Sequence, residues 1–240
     1  MKNYVRKLEW DSSFFGKKVA SILLCDGDIS FLEEGLRVCR NEGYELVYVF
    51  CENNMQIPSN ILQYDDCSLV DTRITFEFQV NSPAISHPNI FECYLQSPDL
   101  YNLAIQSGVY SRFRIDHHFT KQDFERLYKV WVDSSLNRTI ADSVLVYSEN
   151  NELAGFVTMK NLKDRVSIGL IATQFQYRGR GIASFLLNSV NNYAYSHAID
   201  TIEVATQARN IIACSFYKKK WIYRKIKNKY LSFLDIKIII

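Results

Sequence analysis

A pair of glycines flanked by arginines is the first feature of this sequence that could do chemistry. In Thr173-Gln174-Phe175-Gln176-Tyr177-Arg178-Gly179-Arg180-Gly181-Ile182-Ala183 the two glycines, one residue apart, remove the side chains that would hold a ligand off the backbone. Arg178 and Arg180 add positive charge, and a helix starting after Gly181 would offer unpaired N–H groups and the positive end of its dipole. Such a turn can cradle a phosphate. A Walker A loop would end in Gly-Lys-Ser/Thr, whereas Gly181 is followed by Ile182-Ala183. A dinucleotide fingerprint would need a small residue at 184 and an acid about twenty positions on. Ser184 and Glu203 could be pressed into that role, but the second glycine already lies at the helix mouth. A strand–helix turn using glycine only for its geometry stays open as well.

The flanking elements suit a cradle. Val166–Ala172 is a short apolar run of strand length, and Ile182, Phe185/Leu186, Val190 and Tyr193/Ala194 form the stripe of an amphipathic helix ending near His197. Upstream, Ser143–Ser148 and Leu153–Lys160 around the polar Glu149–Glu152 read as a hairpin. With a turn at Asn161–Asp164 they make an antiparallel meander into the strand before the glycines. Helical patterns fall at about Asp99–Ser107 and Lys121–Ser135. Downstream, Thr201–Thr206 is a strand, and Asn210 looks like the N-cap of a helix from Ile211 to about Lys219. Trp221–Lys227 and Tyr230–Ile240 read as two closing strands around Asn228-Lys229.

The first eighty residues have their own rhythm. Tyr4–Trp10 alternates and turns at Asp11-Ser12-Ser13, and Phe14-Phe15-Gly16 with Val19–Leu24 suggest a second strand. A helix from about Ser30 to Asn41, a buried strand Glu45–Phe50 and a long alternating strand Val70–Val80 follow. The segment from Asn81 to Pro98 holds three of the four prolines and is the expected linker. The division expected is a smaller N-terminal α/β domain over 1–97 and a second domain over 98–240.

Composition narrows the classes. Of 240 residues 48% are hydrophobic, enough for a core, and a net charge of +2 argues against a dedicated nucleic-acid binder. No stretch approaches a membrane span or a signal core. The six cysteines show no Cys-x-x-Cys pair and read as free thiols of a reducing, cytoplasmic compartment. The neighbours His117-His118 would point apart in any regular element, so no metal is expected. The sequence leaves the oligomeric state open, a homodimer included.

With strands, glycine turn and last helix in place, the chain resembles the GNAT family of acetyl-CoA-dependent N-acetyltransferases. The family's Gln/Arg-x-x-Gly-x-Gly/Ala motif is met by Arg178-Gly179-Arg180-Gly181-Ile182-Ala183, although Gln176-x-x-Gly179-x-Gly181 also fits. Its second motif, an Asn, an Ala three residues on and a Phe-Tyr pair, is met by Asn210, Ala213 and Phe216-Tyr217. The resemblance covers residues 98–240 and implies a GNAT acyltransferase fold with a mixed, mostly antiparallel central sheet. A narrower resemblance, in Leu8–Gly16, Ser111–Asp116 and Phe124-Glu125-x-Leu127-Tyr128-x-x-Trp131, is to GNAT enzymes that acetylate dTDP-linked 4-amino-4,6-dideoxyhexoses for surface polysaccharide. Those enzymes carry an extra N-terminal α/β domain. Lys220-Trp221 stands where most members have Gly-Phe, and Phe175 where many have Pro.

The resemblance implies roles. Acetyl-CoA would lay its pyrophosphate on the N–H groups of Arg178, Gly179, Arg180, Gly181, Ile182 and Ala183. Its pantetheine arm would lie along a splayed strand edge at Leu170, Ile171, Ala172 and Thr173, where an N–H could polarise the thioester carbonyl. Tyr217 follows Asn210 by 217 − 210 = 7 positions, about two turns, which puts both on one helix face. A phenol there could protonate the departing thiolate, while Asn210 caps the helix, meets the cofactor, or does both. The acceptor would be a nucleotide-linked amino sugar, with Phe14, Arg112 and Trp131 as candidate contacts. The general base is not legible, Glu77 and Asp116 being candidates by position alone. A GNAT enzyme acting on another small amine or a protein N-terminus, or an acyl-CoA-binding module without catalysis, are the alternatives.

Overall fold

The computed structural model describes residues 5–24, 29–52, 67–220 and 227–234. In chain order the elements are β1 (Val5–Lys7), α1 (Glu9–Phe15), β2 (Val19–Leu24), α2 (Ile29–Asn41), β3 (Leu46–Glu52), β4 (Cys67–Gln79) and β5 (Ile90–Glu92). Then come α3 (Pro98–Ser107), α4 (Arg112–Ile115), α5 (Lys121–Leu136), β6 (Ser143–Glu149), β7 (Glu152–Asn161) and β8 (Val166–Thr173). The chain closes with α6 (Ile182–Ser196), β9 (Thr201–Gln207), α7 (Ile211–Lys220) and β10 (Lys227–Leu234). Two compact units divide these elements. The first takes the described residues up to Ile74 with Gln207–Arg209 and β10; the second takes Thr75–Thr206 and the helix α7 with Asn210. The segment 75–97, expected to close the first domain, thus counts with the second unit.

In the first unit β2 and β3 run parallel, joined by α2, with β1 antiparallel to β2 and β10 antiparallel to β3. Ile22, Leu24, Leu32, Leu36, Val47 and Val49 form one buried cluster under α2. Asp11-Ser12-Ser13 is not a turn, and Phe14-Phe15 is not strand. Both lie in α1, where Trp10 and Phe14, one helical turn apart, stack at 4.9 Å, and Gly16 ends the helix in the left-handed region at φ 64°. The expected turn at Asn228-Lys229 lies inside β10, and the expected strand residues at 221–226 and 235–240 fall outside the described residues.

The second unit holds the meander. β5, β6, β7 and β8 are antiparallel neighbours in sequence order, and β9 joins β8 in parallel after the crossover through α6. The α/β fold with a mixed, mostly antiparallel sheet expected from the sequence is what forms. β6 and β7 turn on Asn150 and Asn151, both left-handed at φ 54° and 64°, as a two-residue type I′ hairpin demands. The expected linker is not free chain: it carries β5, and Asn191 and Asn192 of α6 hold the backbone of Ser82 and Ala84. Ser97 and Thr120 cap α3 and α5 with their side chains, Thr120 in a reciprocal capping box with Asp123. Along α6, Ile182, Leu186, Val190 and Ala194 are buried, the stripe read from the sequence.

Candidate active site

The site begins where β8 parts from β9. Their pairing ends at Ile168 and Val204, although β8 continues to Thr173 and β9 to Gln207. On its other edge β8 stays with β7, but the register slips by one residue between Val157–Ile171 and Met159–Ile168, which leaves a bulge on β8. Gln174 N–H donates to the Ala154 carbonyl at 2.9 Å. By the alternation of an antiparallel ladder, Ile171 and Thr173 therefore turn their main-chain groups toward the open side. Buried Thr173 Oγ1, on that stretch, has no hydrogen-bond partner among the described residues.

The glycine turn closes one end of this slot. After a single 3₁₀ turn at Phe175–Tyr177, Gly179 and Gly181 adopt φ 81° and 83°, where a side chain is strained. Among the described residues the N–H groups of Gly179, Arg180, Gly181, Ile182 and Ala183 have no acceptor, and the first helical bonds are from Ser184 and Phe185 to the Gly181 carbonyl. Five consecutive donors at a helix N-terminus, with no side-chain cap, are an anion seat. The β6–β7 hairpin holds the turn in place. Tyr177 Oη donates to Glu152 at 2.7 Å, and Arg180 pairs with Glu149 at 3.4 Å while lying over the Tyr177 ring. The bond to Glu152 raises the Tyr177 phenol above its ordinary pKa. Gly155 lets α6 approach, since a Cβ there would stand 3.0 Å from the Ala172 carbonyl and 2.9 Å from Ile182.

The other wall comes from α7. Asn210 Oδ1 accepts from Ala213 N–H at 3.2 Å, the expected cap, and its amide reaches Thr206 at 3.4 Å. Tyr217 is 4% exposed, its ring 5.3 Å from that of Phe76. Burial drives its phenol far above the ordinary value, so it stays a neutral O–H donor.

A cavity of about 510 Å³ joins these parts. Its wall includes Ile171, Ala172, Thr173, Arg178, Gly179, Gly181, Ile182, Ala183, Asn210 and Tyr217, ten residues singled out in the sequence. Leu170 and Arg180 are not in the wall. The Leu170 N–H is taken by Thr158 Oγ1 at 2.8 Å and is not free for a pantetheine arm, while the Arg180 guanidinium is engaged by Glu149.

The three acceptor candidates are not brought to the cavity. Phe14 belongs to the first unit, Arg112 lies over the Phe113 ring, and Trp131 packs on Phe113 and Tyr128. Glu77 and Asp116 are also absent from the wall. Asp116 instead accepts from the His118 N–H at 3.0 Å and lies 2.5 Å from His118 Nδ1. His117 and His118 do not point apart: they sit in a turn after α4 and their rings approach to 4.0 Å.

Sequence reasoning missed Gln106, Ser107, Val109 and Tyr110 at and just after the end of α3, and Ile212 of α7, all of which line the cavity. Ser97-Pro98 marks only the start of α3, and no motif marks the residues around its Gly108 end as part of a site.

Residues 109–221 match the Acetyltransferase (GNAT) family. This is a GNAT acetyltransferase domain. It makes the protein an acetyltransferase of the acetyl-CoA-dependent class. The whole chain is similar to the dTDP-fucosamine acetyltransferase of Escherichia coli O6:H1, at 23% identity over 92% of this chain and 97% of that one. It is also similar to the spore coat polysaccharide biosynthesis protein SpsD of Bacillus subtilis, at 25% identity over 49% of this chain and 40% of that protein. A solved GCN5-related N-acetyltransferase from Sphaerobacter thermophilus shares the fold, with a TM-score of 0.56 at 15% identity over 92% of this chain and 74% of that one. Acetyl-CoA suits what the GNAT domain offers: five unpaired N–H groups for a pyrophosphate, a parted strand edge for an amide-bearing arm, and a neutral phenol. Among the described residues no helix is long and apolar enough to cross a membrane.

Proposed function

We propose that the protein transfers the acetyl group of acetyl-CoA to the 4-amino group of a dTDP-linked 4-amino-4,6-dideoxyhexose, for surface polysaccharide. The observation that carries the cofactor half is the meeting of the unpaired N–H run, the parted β8 edge and Tyr217 in one cavity. The acceptor half rests on the relative named dTDP-fucosamine acetyltransferase, whose likeness runs through the N-terminal unit as well. Cys39, Cys93 and Cys214, which form no disulfide among the described residues, support a reducing, cytoplasmic setting.

When bound, acetyl-CoA supplies the thioester. The residues Gly179–Ala183 would hold its pyrophosphate, and the main-chain groups of Ile171 and Thr173 would take its arm as a strand would, with an N–H of that edge to polarise the thioester carbonyl. The amine nitrogen forms the amide bond, the carbon–sulfur bond breaks, and Tyr217 Oη gives its proton to the leaving sulfur. The amine's own proton passes to solvent or to a base on the acceptor.

The purified protein with acetyl-CoA and dTDP-4-amino-4,6-dideoxygalactose is expected to release free CoA thiol in proportion to acetylated sugar. Thiol release from a polyamine or a peptide N-terminus, with none from any amino-sugar nucleotide, would sink the acceptor assignment and leave the cofactor assignment standing. A second expectation concerns the seat. Tyr177→Phe removes the bond to Glu152 and is expected to raise the KM for acetyl-CoA about 5-fold, the worth of roughly one hydrogen bond, with kcat within about 2-fold. Steady-state kinetics at saturating acceptor separate the two constants.

A further inference from the structure

Thr158 stands at the point where β8 leaves the sheet, and four observations converge on its hydroxyl. It is 2% exposed, beyond the reach of bulk water. Its Oγ1 accepts the Leu170 N–H at 2.8 Å. The β7–β8 register slips across Thr158, between Val157 and Met159. The β8–β9 pairing stops at Ile168, immediately before Gly169 and Leu170. Gly169 makes room for the arrangement, because a Cβ there would lie 2.8 Å from Thr158 Oγ1.

Leu170 is half-buried, and a strand N–H at such a position still needs an acceptor. With the hydroxyl gone, the protein acceptors that the Leu170 N–H could recover are a carbonyl of β7, by undoing the slip, or one of β9, by closing the gap. A one-residue slip would exchange the faces and hydrogen-bonding sides of every following residue, so Ile171 and Thr173 would no longer face the opening. A closed gap would fill the slot with sheet.

We propose that Thr158 is a positioning residue for acetyl transfer, its hydroxyl taking the Leu170 N–H to hold the β8 bulge and keep the slot beside β9 open. This rests on the reading of the cavity as the acetyl-CoA site. Thr158 touches no reacting atom; it acts through the strand.

The test compares two ligands by titration calorimetry on the full chain: acetyl-CoA, which needs cradle and slot, and adenosine 3′-phosphate 5′-diphosphate, which needs the cradle alone. Thr158→Val keeps the volume and removes the acceptor. It is expected to weaken acetyl-CoA at least 10-fold, lower kcat by a similar factor, and leave the nucleotide within about 2-fold. Thr158→Ser keeps the acceptor and is expected to restore acetyl-CoA to within about 3-fold of wild type. Gly169→Ala, which presses on the same hydroxyl, is expected to repeat the valine pattern and serves if that variant does not fold. Thr158→Val with the acetyl-CoA affinity and kcat of wild type would overturn the proposal, as would a loss of both ligands in parallel with a fall in melting temperature. Wild-type protein that binds acetyl-CoA no tighter than the nucleotide would instead remove the site reading beneath it.

Discussion

Tyr217→Phe is expected to lower kcat for acetyl transfer by about 10²–10³-fold while leaving acetyl-CoA affinity within about 2-fold. The phenol of Tyr217 lines the cavity from α7, and its proton is kept on by burial. A thiolate leaving without a proton is a poor leaving group near neutral pH, so the loss falls on the chemical step and not on binding. Single-turnover thiol release at saturating acetyl-CoA reads that step directly, and an unchanged rate would place the acid elsewhere.

The same burial has a consequence for stability, whose sign follows from linkage. The folded state holds the Tyr217 proton more tightly than the unfolded chain does. The contribution is therefore fully present below the unfolded value, about pH 10, and is lost as pH rises toward the folded value. A melting series above pH 9 is expected to fall more steeply for wild type than for Tyr217→Phe.

Gly108→Ala is expected to cost about 1–3 kcal/mol, a fall in melting temperature of roughly 3–10 °C, and to lower activity with it. The added Cβ would stand 2.0 Å from Tyr128 Cζ and 2.4 Å from its Oη. Tyr128 is 4% exposed and wedged between Phe124 and Trp131, with both ring centroids 4.9 Å away, so it cannot swing clear. What gives is the end of α3, which carries Gln106, Ser107, Val109 and Tyr110 to the cavity. Shortening the obstacle with Tyr128→Leu should recover part of the loss, and the double variant would then be more stable than the sum of the two single changes predicts. Strict additivity of the two changes would mean that Tyr128 is not the obstacle.

Gly108 also shows where sequence reasoning stops. Gly179 and Gly181 could be read because their reason is local: a turn before a helix, flanked by arginines, in which φ must be positive. Gly108 has φ −95° and is glycine for a ring twenty residues away, which no local pattern reveals. The same division runs through the molecule. The α6 stripe, the Asn210 cap and the β6–β7 hairpin follow from periodicity and turn chemistry. β5 is three residues between prolines and exists by pairing with β6, a contact more than fifty residues distant. In α1, serines and an aspartate that suggest a turn are carried into a helix closed by Gly16, with Trp10 stacked on Phe14. The parting of β8 from β9 was expected only through family resemblance. Its local cause, a threonine hydroxyl on the neighbouring strand, is a contact between residues twelve apart that carry no motif.

The hairpin between β6 and β7 acts on the anion seat as a measuring rod. Glu149 and Glu152 stand on either side of two left-handed asparagines, and each grips one residue of the glycine turn. The spacing of the two carboxylates is thereby tied to the spacing of Tyr177 and Arg180. One residue more or less in that hairpin would break the match even with every motif residue intact. Variation in length, ordinarily tolerated at a surface turn, is expected to be barred at this one, while the identity of the residues facing water there stays free to drift.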